Sequence, residues 1–253
     1  MPYLWATLGE TMHCLIDGDI ITYRVGFTTQ EDEEWVAGSR VDELIGSILA
    51  DVEVQFNISA SFEKATHQVF LTSTDKSNYR FNLHPEYKAN RTSAKPIHYD
   101  YIREYLVNEW KAEVIFGEEA DDALGYSQEK DTIICSIDKD LLMIPGKHYN
   151  FVKKEFYEVS PAEALYNFYW QLLNGDTGDN IPGCPGVGPV KIGLLIHSDM
   201  EEIELFQTVY ETYEMQYKKK GLSNFERDIL RNGRLLKIRQ SKEEPLWEFP
   251  KNV

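Results

Sequence analysis

Thr132-Ile133-Ile134-Cys135-Ser136-Ile137-Asp138-Lys139-Asp140 is a short apolar, β-rich run that ends in two acids. A run of this length and composition, bounded by polar residues, reads as a buried strand over Thr132–Ile137. Outward from it the same pattern recurs. His13–Asp17 closes on Asp17 and Asp19, His67–Thr72 is followed by Asp75, and Glu113–Phe116 is followed by Glu119-Ala120-Asp121-Asp122. A further strand-like run, Tyr149–Val152, carries no acid at its end. Between the runs, Val41–Phe56 and Tyr99–Trp110 place apolar residues at helical spacing. Strands alternating with helices predict an α/β fold, a largely parallel sheet covered by helices on both faces. In such a sheet the carboxyl ends of the strands share one edge, where binding crevices form. Acids far apart in sequence are thereby expected to meet.

Gly175-Asp176-Thr177-Gly178-Asp179-Asn180 adds two aspartates three positions apart, neighbours if the segment is a helical turn. A lone Asp after a strand is usually a turn or cap residue. Five segments with acids at equivalent places are hard to obtain from capping alone. So many carboxylates at one edge repel one another unless a cation joins them, and hard oxygen ligands select Mg²⁺ or Mn²⁺.

A chain of 253 residues with 42% hydrophobic composition can bury a full core. No stretch approaches the length of a membrane span, and the first residues lack the order of a signal peptide. Cys14, Cys135 and Cys184 are far apart and form no CxxC pair, which suggests free thiols in a reducing, cytoplasmic setting. The net charge of −16 argues at first against a nucleic-acid partner. If the acids above bind cations, the local field reverses. Acidity alone therefore does not exclude DNA. The chain changes character after Leu173, where Gly and Pro crowd into Asn174–Pro189 and helical patterns follow. This predicts an α/β unit over 1–173 and a helical appendage over 174–253, the latter carrying the basic run Arg227–Arg239 and the anchors Trp247 and Phe249. The acidic run Glu31–Glu34 reads as a solvated loop.

The order of motifs resembles the flap endonuclease family, which includes the 5′-nuclease domain of bacterial DNA polymerase I and the phage 5′→3′ exonucleases. Leu15–Asp19, Tyr87-Lys88-Ala89-Asn90-Arg91, Glu119–Asp122, Ser136–Leu141 and Gly175–Ile192 carry the resemblance, which runs nearly end to end. It implies a PIN-like fold with an appended helix–hairpin–helix. By position, its metal ligands fall on Asp17, Asp75, Glu119, Asp121, Asp122, Asp138, Asp140, Asp176 and Asp179, with Glu118 a competitor for Glu119 and Asp19 an accessory ligand or a cap. Lys88 and Arg91 are expected to hold the scissile phosphate, and Arg80, Lys95, Gly183, Gly186, Gly188 and Lys191 to contact DNA. Tyr23 and Arg24 are candidates to touch the displaced strand.

The implied cofactors are two Mg²⁺ ions, replaceable by Mn²⁺, with a monovalent cation at the hairpin. The implied substrates are duplex DNA with 5′ ends, gaps or flaps, and the RNA of RNA–DNA hybrids, cut by a monomer in phage-type replication within the host cytoplasm. Where larger relatives carry a long helical arch, the segment from Arg91 to Tyr105 is short, which favours exonuclease action. Three rivals compete. Asp17-Gly18-Asp19-Ile20-Ile21-Thr22 looks like the nucleophile motif of a haloacid dehalogenase-type phosphatase, in which Asp17 would form an aspartyl-phosphate. A non-catalytic DNA-binding module would keep the hairpin alone, and a PIN-type RNase would lack it.

Overall fold

The computed structural model describes residues 12–58 and 64–251. The signal-peptide reading of the first residues and the last residues of the 174–253 unit lie outside them. The central sheet has the order β3-β2-β1-β4-β5-β6. Its strands are β1 (His13–Asp17), β2 (Thr66–Thr72), β3 (Glu113–Ile115), β4 (Thr132–Cys135), β5 (Gly146–Asn150) and β6 (Glu155–Val159). All neighbours pair in parallel except β5 and β6, which form an antiparallel hairpin. Strand β6 is absent from the sequence reading, and β5 begins earlier than expected. In this hairpin Glu155, Phe156 and Tyr157 are exposed or half-buried, so the strand lacks the apolar run that marks a buried one.

Alternation along β1 divides the cores. Cys14 and Ile16 face a layer made by α1 (Gly18–Thr28), α2 (Glu34–Gln55) and α4 (Tyr99–Asn108), while Leu15 faces α5 (Ala120–Ser127). In the first layer Ile21, Val25, Val41, Ile45, Ile48, Val52, Ile102 and Leu106 close over the sheet. In the second, Ala123 and Leu124 pack with Phe70, Ile134 and Leu141. The two-faced cover follows from strands that are apolar on both sides. Helix α2 starts earlier than the Val41 predicted, at Glu34, so the last acid of Glu31–Glu34 is helical.

A further core is helical. Helices α6 (Pro161–Asn174), α7 (Pro189–Leu195), α8 (Glu202–Lys220) and α9 (Phe225–Leu236) bury Phe168, Leu172, Ile192, Leu205, Val209, Tyr213 and Ile229 together. Helix α6 supplies Phe168, Tyr169, Leu172 and Leu173 to this core, which also takes in Tyr87 and Met143. Trp247 packs on Phe168 and Phe206, and Ile238 joins the core beneath α5, so the carboxy-terminal strap ties the two units. Residues 84–98, between the five-residue helix α3 (Tyr79–Leu83) and α4, form turns and bends with no helix. Among the described residues no helix is long and apolar enough to cross a membrane.

Candidate metal centre and nucleic-acid cleft

Asp17 ends β1 and caps α1, accepting from Ile20 N at 3.0 Å, while its other oxygen accepts from Ser136 Oγ at 2.7 Å. Ser136 is the residue after β4, so two neighbouring strand ends are stitched at this edge. Its Oγ also accepts from Asp138 N at 3.0 Å, and Asp138 accepts from Asp140 N at 2.9 Å. Gln171 of α6 donates to Asp140 at 2.9 Å and reaches Asp176 at 3.5 Å. Asp176 lies on β7 (Gly175–Asp176), a two-residue strand paired with β8 (Ile181–Pro182), and Gly178 N donates to it at 2.7 Å.

The electrostatics show an excess of negative charge. Burial, then the neighbouring Asp19, push Asp17 up to about 7. Burial, then Asp138 and Asp176, push Asp140 up to about 7 as well. Asp121, in the first turn of α5, is raised well above the carboxylate range by burial and by Asp138 and Asp17. These acids act on one another, so the edge does bring β1, β4, α5 and the β7–β8 turn together.

Beside them stands a cluster of opposite charge. Lys88, with φ of 57° in an irregular turn, donates to Glu119 and lies 3.6 Å from Asp179. Burial favours its neutral amine, but Glu119 and Asp179 hold its pKa above the ordinary value. Arg91 pairs with Asp179. Tyr87, 2% exposed, places its hydroxyl 2.9 Å from Glu119 and 2.8 Å from Asp179. A cleft of about 220 Å³ opens from here, with Lys76, Lys88, Arg91 and Lys95 among its walls and Tyr23 and Tyr99 as aromatic surfaces. Lys95 stands 3.9 Å over the Tyr99 ring.

Three expectations are corrected. Asp122 is fully buried and clasped by Arg80, at 2.6 and 3.0 Å, and this guanidinium, overcoming burial, holds it below the carboxylate range. Arg80 is 2% exposed and also donates to Leu235 O and Lys237 O, so it fastens the carboxy-terminal strap and cannot reach DNA. Asp75 is exposed in the loop after β2, bonded only to Ser73 and Ser77, and does not join the cluster. Gly183 is required internally, because a Cβ there would lie 2.3 Å from Asn174 C. Glu118 is drawn off by Arg239 at 3.1 Å, and Asp19 is held by Thr72 N at 3.1 Å and Arg103 at 2.9 Å. Sequence reasoning missed Arg103, Ser136 and Gln171. Arg103 bonds across 84 positions, for which the chain carries no local signal.

The donor set consists of hard carboxylate oxygens, and a divalent ion would relieve the raised pKa values of Asp17, Asp121 and Asp140, so the set fits Mg²⁺ or Mn²⁺. Among the described residues no three acidic or imidazole groups form a ready ligand set. Glu119 and Asp179 are turned to Lys88 and Arg91, and a metal would have to compete for them.

The hairpin Gly183–Ile192 exposes Gly186 and Gly188 just before α7. Gly186 has φ of 79° and lies near Lys220, while Gly188 is extended with open space where a Cβ would stand. Steric strain at Gly188 is therefore excluded; the turn needs glycine at Gly186.

A carboxylate-lined edge of a parallel sheet, a cationic cleft beside it and a glycine hairpin are the features of a metal-dependent 5′-nuclease. The comparisons give the particular relatives. The sequence is 26% identical over 209 residues to a 5′-3′ exonuclease of Buchnera aphidicola subsp. Schizaphis graminum, covering 75% of this chain and 71% of that one. It is 27% identical over 205 residues to the 5′-3′ exonuclease of Bacillus subtilis, covering 69% and 66%. The fold matches the T5 5′-exonuclease, solved with divalent zinc ions bound, at a TM-score of 0.57, 17% identity and coverage of 86% and 87%. No protein-family model matches the chain. The chain is thus similar to these enzymes in sequence and fold, and it is a metal-dependent 5′-nuclease.

Proposed function

We propose that the chain hydrolyses phosphodiester bonds of duplex DNA from 5′ ends, gaps or flaps, and of the RNA strand of RNA–DNA hybrids, as a monomer in phage-type replication. The observation that carries the reading is the convergence of Asp17, Asp121 and Asp140 on Asp138 at one sheet edge, each pushed up by burial first and by that shared neighbour as well, next to Lys88 and Arg91. Asp17, Glu119, Asp121 and Asp138 would hold one Mg²⁺, and Asp140, Asp176 and Asp179 a second, with Mn²⁺ as a substitute. When bound, such ions supply an activated water and charge for the leaving oxygen.

The chain's own groups do the rest. Lys88 and Arg91 are positioned to turn from Glu119 and Asp179 to the reacting phosphate, where a cation offsets developing charge. Tyr87 orients Glu119 and Asp179 through one hydroxyl. Lys76 and Lys95 hold the phosphates of the 5′ portion, and Tyr23 and Tyr99 offer faces to its bases. The hairpin amides and Lys191 hold a duplex phosphate away from the cut, aided by a monovalent cation. The absence of a helix in residues 84–98 supports exonuclease action over threading of long flaps.

A phosphatase reading with Asp17 as nucleophile is disfavoured, because it leaves Asp121, Asp138, Asp140 and the glycine hairpin without a role. The deciding experiment is a gel assay of labelled duplex DNA, RNA and hybrid with Mg²⁺ or EDTA. Mg²⁺-dependent release from 5′ ends is expected. Binding without cleavage in any metal would leave only the DNA-binding module.

A further inference from the structure

Next to Asp140 a cavity of about 240 Å³ opens between the 3₁₀ turn Asp140–Met143 and α6. Its walls include Lys139, Asp140, Leu142, Tyr166, Asn167 and Trp170. Tyr166 and Trp170 are one helical turn apart on α6, and each is half-buried, packed in part against the helical core and lining this cavity with the rest. Asn167 donates to Leu142 O at 3.0 Å, which fixes the wall of the cavity and points its amide along it. Lys139 is exposed at the rim.

We propose that this cavity is a nucleobase subsite, which takes one unpaired base of the bound strand against Trp170 while Lys139 meets the adjoining phosphate. The inference rests on the nuclease reading and deepens it. Three features fit a base rather than an apolar peptide side chain. Two aromatic faces suit a flat π-system, the amide of Asn167 suits its polar edge, and a lysine at the rim complements a phosphate. The site is continuous with the catalytic edge, because Asp140 and Gln171 belong to both. A base seated here would fix the strand next to Asp140, at a wall the cationic cleft does not share.

The test is binding in EDTA, so that nothing is cut, with duplexes carrying an abasic residue at each position around the expected cut. In the wild type one position is expected to lose about 5- to 150-fold in affinity, the range of a single base–aromatic stack. Trp170→Ala should cause the same loss on intact DNA and no further loss on that abasic duplex, and Trp170→Phe should restore most of it. A 2-aminopurine at that position should be quenched on binding to the wild type and not to Trp170→Ala. If Trp170→Ala fails to fold, the abasic and 2-aminopurine scans of the wild type, with Tyr166→Ala, carry the test. Binding of free deoxyadenosine 5′-monophosphate that depends on Trp170, with no sensitive strand position, would assign the base to released product. Mg²⁺-dependent cleavage with neither effect would overturn the subsite and leave the nuclease reading intact; absence of cleavage would overturn that reading instead.

Discussion

At Asp121, burial together with Asp138 and Asp17 opposes ionisation, so an amide there removes repulsion and a ligand at once. Asp121→Asn is expected to abolish cleavage while raising Tm in EDTA by a few degrees, since 1 kcal/mol corresponds to about 2–4 °C in a chain of this size. Cleavage by the variant at saturating Mg²⁺ would remove Asp121 from the ligands. Lys88 acts on the reacting phosphate in the proposed mechanism, so Lys88→Ala should lower the single-turnover rate about 10²-fold with little change in duplex affinity. An unchanged rate with weaker binding would reduce Lys88 to a docking residue. Arg80 is a residue of stability. Arg80→Ala leaves the fully buried Asp122 without its partner and should cost about 3–5 kcal/mol, read as a lower urea midpoint.

Among the elements, the glycine hairpin separates fold from contact. Gly186 needs its left-handed backbone, and a β-branched residue there should destabilise the chain by about 1–2 kcal/mol. Gly188 is extended and faces open space, so Gly188→Val should keep Tm and weaken duplex binding by pushing a phosphate away. Lys191→Ala should lower the salt dependence of binding by about one phosphate. Both contact variants should lose more activity on duplex ends than on very short single strands. Equal losses on the two would mean that the hairpin is a structural turn only. Elements with strong patterning were legible: β1 was read to the residue and α4 nearly so, because both bury apolar residues at regular spacing. Strand β6 was not, because it is half-exposed.

For the whole molecule, the acidic edge makes metal-free stability depend on pH. Asp17 and Asp140 have folded pKa values of about 7, raised from an ordinary value of 3.8, so the fold prefers their protonated forms and loses stability as pH rises through 7. Asp122, held low, stays ionised across this range. Below pH 6.5 the buried His148, lowered to about 4, pulls the other way, so the clean window lies from pH 6.5 to 8. There, Tm in EDTA should fall by about 2–4 °C, for a loss on the order of 1 kcal/mol, and Mg²⁺ should reverse it at pH 8. A Tm in EDTA that rises with pH across the window would refute the crowded edge. The same edge separates what the two levels of description determined. Sequence alone determined the parallel α/β sheet, the acids at the ends of its strands and the hairpin after Gly175, because hydrophobic period and turn chemistry are local properties. Only the tertiary structure decided which acids meet and which are neutralised. Asp122 and Asp121 are adjacent in sequence, yet one turns inward to Arg80 and the other to the shared edge. Their fates differ because successive positions on a helix point in different directions, and because the cation that claims Asp122 comes from a residue 42 positions away.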